Sequence, residues 1–159
     1  MQLTGAIMAE FEAAGGRDRP EEILVDSVGV GGGLVDRLNE LGLPVRGVNS
    51  SEAPSMGATY LNLRAELWWK MKEWLESRET SLPDEADLIS ELVAPRYEFT
   101  STGRMKLEGK DQMRRRGLAS PDMADALAMT FAHDAVVGLK GRGASNWSSP
   151  IKRNIRGIV

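Results

Sequence analysis

Between Glu22 and Val48 the chain reads strand, glycine turn, helix, strand, and that order most narrows what it can fold into. Glu22-Ile23-Leu24-Val25-Asp26 is a short β-prone run ending in an acid. The glycine-rich turn Val28-Gly29-Val30-Gly31-Gly32-Gly33 follows it. Leu34, Leu38 and Leu41 then mark a helix, which Gly42 closes. Pro44-Val45-Arg46-Gly47-Val48 is a second short strand. Upstream, Leu3, Ile7, Met8 and Phe11 fall at helical spacing, and Gly15-Gly16 stops that helix. An αβαβ alternation predicts two parallel strands joined by a crossover, hence the α/β class.

The middle of the chain is helical. Leu63, Leu67, Met71 and Trp74 form one stripe over Tyr60–Glu76, widened by Leu61, Trp68 and Leu75. Arg64, Glu66, Lys72, Glu73 and Glu76 are expected on the wet side. Pro83 to Val93 reads as another helix, with Ser81 as its cap. Tyr97-Glu98-Phe99-Thr100 and Arg104-Met105-Lys106-Leu107-Glu108 then alternate with period two around Ser101-Thr102-Gly103, which predicts a hairpin. A charged stretch follows, Gly109 to Gly117, containing Arg114-Arg115-Arg116. Ser120-Pro121 is expected to open a long helix from Asp122 to about Val137, with serine as cap and proline at the first helical position.

Composition removes several classes of chemistry. The 159 residues suit one domain, and 42% hydrophobic with 27% charged residues describe an ordinary globule rather than a disordered chain. There is no cysteine, so disulfides, thiolate zinc sites and a cysteine nucleophile are excluded. A single histidine, His133, rules out a multi-histidine zinc cage. No apolar run approaches the ~20 residues of a membrane helix. The N-terminus lacks the basic flank and cleavage site of a secretory signal, so the cytoplasm is expected. From Gly138 onward the chain holds five basic residues and no acid, which with a net charge of −3 leaves −8 for the rest. That tail reads either as a solvated end or as a phosphate-binding or docking arm.

Three acids stand where chemistry is possible. Asp26 ends a strand, and ligands of α/β sheets sit outside the carboxyl ends of strands; as a plain alternative it caps the glycine turn. Asp122 and Asp125 lie three apart, on one face of the last helix. Two like charges there need a cation or the helix N-terminal dipole to offset them, and the dipole alone offers ~0.3–1 kcal/mol per acid. Carboxylate-only sites suit Mg²⁺ or Mn²⁺, the ions of phosphodiester chemistry. The glycine run Gly29, Gly31, Gly32, Gly33 fails the dinucleotide pattern at Leu34 and lacks the Lys-Ser/Thr of a nucleotide P-loop. It is expected to allow a tight turn and close approach of a backbone, including DNA phosphate, to the helix N-terminus.

Taken in order, ILVDSVGVGGGLVDRLNELGLPVRGVN, YLNLRAELWWKMKEWL and GRMKLEGKDQMRRRGLASPDMADALAMTFA resemble the nuclease domain of the phage terminase large subunit. The resemblance runs from about Thr4 to Ala132. It implies a ribonuclease H-like, resolvase-like α/β nuclease fold, here with extra helices and a β-hairpin. It also implies metal-dependent endonuclease cleavage of concatemeric double-stranded viral DNA during packaging. Carried over by position, Asp26 and Asp125 would hold a two-metal Mg²⁺ or Mn²⁺ site, and Asp122 would assist the second ion. Lys106, Lys110, Arg114, Arg115 and Arg116 would meet DNA phosphates, the alternative for the arginines being a solvated helix face. The hairpin would lie beside the active site.

Two features depart from the family. Its ATPase motor half is absent, and so are its first antiparallel strands, one of which carries another metal-binding acid. The expected organisation is therefore a partial nuclease domain over residues 1–137 and a basic, flexible tail over 138–159. A catalytically incomplete DNA-binding or assembly fragment, such as a prophage remnant, is the competing expectation. The implied partners are double-stranded DNA, the portal, the small terminase subunit and the ATPase motor half. A second copy is expected at the exposed sheet edge. The implied location is the bacterial host cytoplasm.

Overall fold

The computed structural model describes residues 2–77 and 80–132. The expected tail and His133 lie outside the described residues. The chain divides into two compact units, one formed by Met1–Ser50 and one beginning at Ser51.

The first unit holds α1 (Gln2–Ala13), β1 (Ile23–Asp26), α2 (Gly31–Glu40) and β2 (Val45–Val48). As the alternation predicted, β1 and β2 pair in parallel, with Ile23 opposite Val45 and Asp26 opposite Val48. The pairing extends at both ends, since Ile23 N–H donates to the Pro44 carbonyl at 2.7 Å and Ser27 N–H to Val48 at 3.0 Å. The sheet has these two strands among the described residues. Leu38 of the crossover helix is buried, as are Leu43 and Val48.

One expectation changes here. Gly31, Gly32 and Gly33 are not loop but the first turn of α2. The close approach they permit is to the chain's own backbone: a Cβ on Gly31 would stand 1.7 Å from the Asp26 carbonyl oxygen. Glycine at that position lets the helix start directly on the strand end. The other end of α2 closes in a Schellman arrangement, with Gly42 at φ 76°. There Gly42 N–H donates to Asn39 and Leu43 N–H to Leu38, while Leu38 and Leu43 are both buried.

The second unit holds α3 (Leu63–Glu76), α4 (Ala86–Val93), β3 (Tyr97–Phe99), β4 (Met105–Leu107), α5 (Lys110–Arg115) and α6 (Asp122–Met129). The Asn62 side chain accepts from the Ala65 N–H at 3.0 Å and starts α3. Leu63, Leu67 and Met71 are buried as the stripe predicts, and α3 packs against α6 and β4. The hairpin forms as expected, with Tyr97 opposite Leu107 and Phe99 opposite Met105. On its other side β4 bridges to Tyr60, through Leu61 N–H to the Met105 carbonyl at 2.8 Å. Trp69 meets Tyr97 edge-on, with ring centroids 6.0 Å apart.

Several sequence expectations are corrected. Glu66 is not on the wet side but fully buried. Its carboxylate accepts the Ser55 N–H at 2.6 Å and the Ser55 hydroxyl, and it pairs with Lys70 at 2.9 Å. These partners fasten the loop before α3 and satisfy a charge that would otherwise be costly to bury. Helix α4 starts at Ala86, later than the Pro83 expected, and Glu85 rather than Ser81 stands at its N-cap. At α6 it is Pro121 that takes the N-cap position, and α6 gives way to a turn at Thr130–Phe131; the expected continuation from His133 to Val137 lies outside the described residues.

Candidate metal and nucleic-acid site

The second unit brings Asp122 and Asp125 together at the start of α6 (Asp122–Met129), facing one cation. Lys110, the first residue of α5, sets its Nζ 3.1 Å from Asp122 Oδ1 and 3.2 Å from Asp125 Oδ2. Ser120 adds a hydroxyl that donates to Asp122 Oδ1 at 2.6 Å. The repulsion expected between two acids on one helix face is thus offset by a side-chain ammonium in addition to the helix dipole. The Ser120 hydrogen bond, helped by Lys110, lowers the Asp122 pKa. Burial opposes the Lys110 charge, but Asp125 and Asp122 outweigh it and raise the Lys110 pKa.

Asp125 is the more deeply placed acid, its side chain 18% exposed against 76% for Asp122. Its Oδ1 accepts from Arg64 Nε at 3.0 Å and from the Trp68 indole at 2.7 Å. Arg64 is itself anchored, because its Nη1 donates to the Glu108 carbonyl at 2.9 Å. Arg64 and Trp68 sit four apart on α3, so helical geometry stacks them on one face. Periodicity put Arg64 on the wet side and Trp68 in the apolar stripe. Neither reading could reveal that this face meets a carboxylate 61 residues downstream in the chain.

Asp26 belongs to the first unit. It ends β1 exposed, and its Oδ1 accepts the Val28 N–H at 3.0 Å, which closes the turn into α2. Among the glycines of that turn, Gly29 has a φ of 70°. Among the described residues, no group of three or more acidic or histidine side chains forms a metal site.

The basic residues separate by partner. Lys106 pairs with Glu98 at 2.9 Å across the hairpin, and Arg114 with Asp111 at 3.1 Å on an exposed helix face. Arg115 is exposed on α5. Arg116 turns inward instead, to the buried carboxylate of Glu108, which also accepts the Arg96 N–H at 3.1 Å. It thereby ties the hairpin base to the end of α5.

No family model matches the chain, and no curated protein matches it either. Solved structures do match. The nuclease domain of the large terminase subunit gp2 of bacterial virus Sf6 is 24% identical, at a TM-score of 0.62, over 80% of this chain and 68% of that one. A lysine-to-alanine mutant of that domain, solved with manganese and beta-thujaplicinol, is 22% identical at a TM-score of 0.62, over the same shares. A lysine-to-alanine mutant solved with calcium is 23% identical at a TM-score of 0.61, again over 80% and 68%. At such identities the likeness is one of fold. The chain has the α/β fold of a terminase nuclease domain, as the sequence resemblance implied.

Proposed function

We propose that this chain is a metal-dependent endonuclease domain of a viral DNA-packaging terminase, hydrolysing phosphodiester bonds of concatemeric double-stranded DNA. The observation that carries the reading is the fold likeness to a terminase nuclease domain that was solved with manganese and with calcium. The donor set fits such an ion. Asp122 and Asp125 offer hard carboxylate oxygens, and they already converge on one positive charge, Lys110. Asp125 and Asp26 would each act as a metal ligand, and Asp122 would assist beside Asp125; Mg²⁺ and Mn²⁺ both suit carboxylate oxygens. A bound divalent ion would supply charge stabilisation for phosphodiester hydrolysis.

The protein's own side chains would do the rest. Lys110 pairs with both acids when no metal is bound and would meet a DNA phosphate when one is. Lys106, Arg114 and Arg115 would contact the DNA backbone, whereas Arg116 serves the hairpin base. The wider proposal places the chain in the host cytoplasm, working with a portal, a small terminase subunit and an ATPase motor. The two-stranded sheet also suits pairing with a second copy, for which light scattering is the check: a concentration-dependent dimer supports it and a constant monomer mass refutes it.

A second reading has its own support. Both oxygens of Asp125 already accept from Arg64, Trp68 and Lys110. That arrangement also suits a DNA-binding or assembly module in which side chains stand where an ion would. Asp26→Asn and Asp125→Asn separate the two. As a nuclease, each variant loses cleavage and keeps DNA binding in a gel shift. Cleavage retained in both variants would overturn the nuclease assignment.

A further inference from the structure

Among the described residues, Asp125 receives four side-chain donor contacts, and they are unequally placed. A carboxylate oxygen offers two lone-pair directions. On Oδ1 both are filled, by Trp68 Nε1 at 2.7 Å and Arg64 Nε at 3.0 Å. Among the described residues, Oδ2 receives the longer contact from Arg64 Nη2, at 3.4 Å, and the Lys110 ammonium at 3.2 Å. The Oδ1 donors are held firmly. Trp68 is buried, the Arg64 side chain is 15% exposed, and its third nitrogen is tied to the Glu108 carbonyl. The guanidinium also lies over the Trp68 ring, 5.8 Å from its centroid. Lys110, by contrast, is 40% exposed on a flexible stem.

We propose that Trp68 and Arg64 are positioning residues that fill Oδ1 of Asp125 and present Oδ2 to a divalent cation. This deepens the metal reading above and rests on it. Indole and guanidinium are planar donors that cannot accept a hydrogen bond, so together they restrain the orientation of the Asp125 carboxylate. Such outer partners of ligating groups typically contribute about 10–100-fold in metal affinity. The apolar stripe of α3 thus carries at its edge the pair that orients an acid on α6.

The test is Mn²⁺ binding by the full chain, followed by the electron spin resonance of free Mn²⁺, with no DNA present. Trp68→Phe keeps the ring and removes only the N–H, and it should weaken Mn²⁺ binding about tenfold. Arg64→Lys keeps the charge, removes the fork, and should act in the same direction. If either variant unfolds by circular dichroism, the other decides. Trp69→Phe is the control, because that indole donates to Glu73 on its own helix, and it should bind as the unaltered chain does. In a Mg²⁺ titration by NMR, the indole signal missing from Trp68→Phe should shift and that of Trp69 should stay. If the unaltered chain takes up no Mn²⁺, the metal reading itself fails. If it does bind, and the folded variants bind equally well, the positioning role is refuted.

Discussion

Glu66 sits fully buried on α3 and joins a loop serine to a lysine one helical turn away. Burial alone would raise its pKa, but the Ser55 hydrogen bonds and Lys70 outweigh burial and lower it. A carboxyl held below its unfolded value stabilises the fold above that value and stops doing so as pH falls through the folded one. The chain should therefore lose stability on acidification below the ordinary glutamate range, and Glu66→Gln should flatten that acid limb in urea melts run across pH. An unchanged limb would remove Glu66 from the cause. Gly31 makes a simpler demand. Its missing Cβ would overlap the Asp26 carbonyl, so Gly31→Ala should cost about 3 kcal/mol in urea unfolding. A neutral result would mean that α2 can lift off the strand end.

At the scale of elements, much was legible because each signal was local. The parallel pair β1–β2 follows from two short strands flanking one helix, and the hairpin from period-two arms about Ser101-Thr102-Gly103. What escaped was whatever depends on a distant partner. Glu66 and Arg64 carry the charge of solvent-facing residues, and only the loop at Ser55 and the acid at Asp125 make their faces interior. The glycines after β1 looked like loop, since nothing local shows that a helix must begin against a carbonyl. Of the candidate acids, the sequence showed that Asp122 and Asp125 share a face, but not that Lys110 would lie between them.

Two tests belong at this scale. Asn62→Ala removes the α3 cap and should cost about 1 kcal/mol in thermal unfolding. Replacing Arg114 and Arg115 together by alanine should weaken DNA binding and lower its log–log salt slope by about 2. An unchanged slope would take α5 out of the DNA interface.

For the whole molecule, the fold is that of a terminase nuclease domain, and each unit carries candidate acids. Asp26 closes a turn in the first unit, and Asp122 and Asp125 surround an ammonium in the second. Divalent-ion dependence of cleavage separates a nuclease from a module that only binds. The direct measurement is cleavage of supercoiled plasmid by the chain alone, in Mn²⁺, in Mg²⁺ and in EDTA. Nicked and linear products that require the ion and disappear in Asp125→Asn are predicted. An intact plasmid beside a folded protein in Mn²⁺, or cutting that persists in EDTA, would contradict the account.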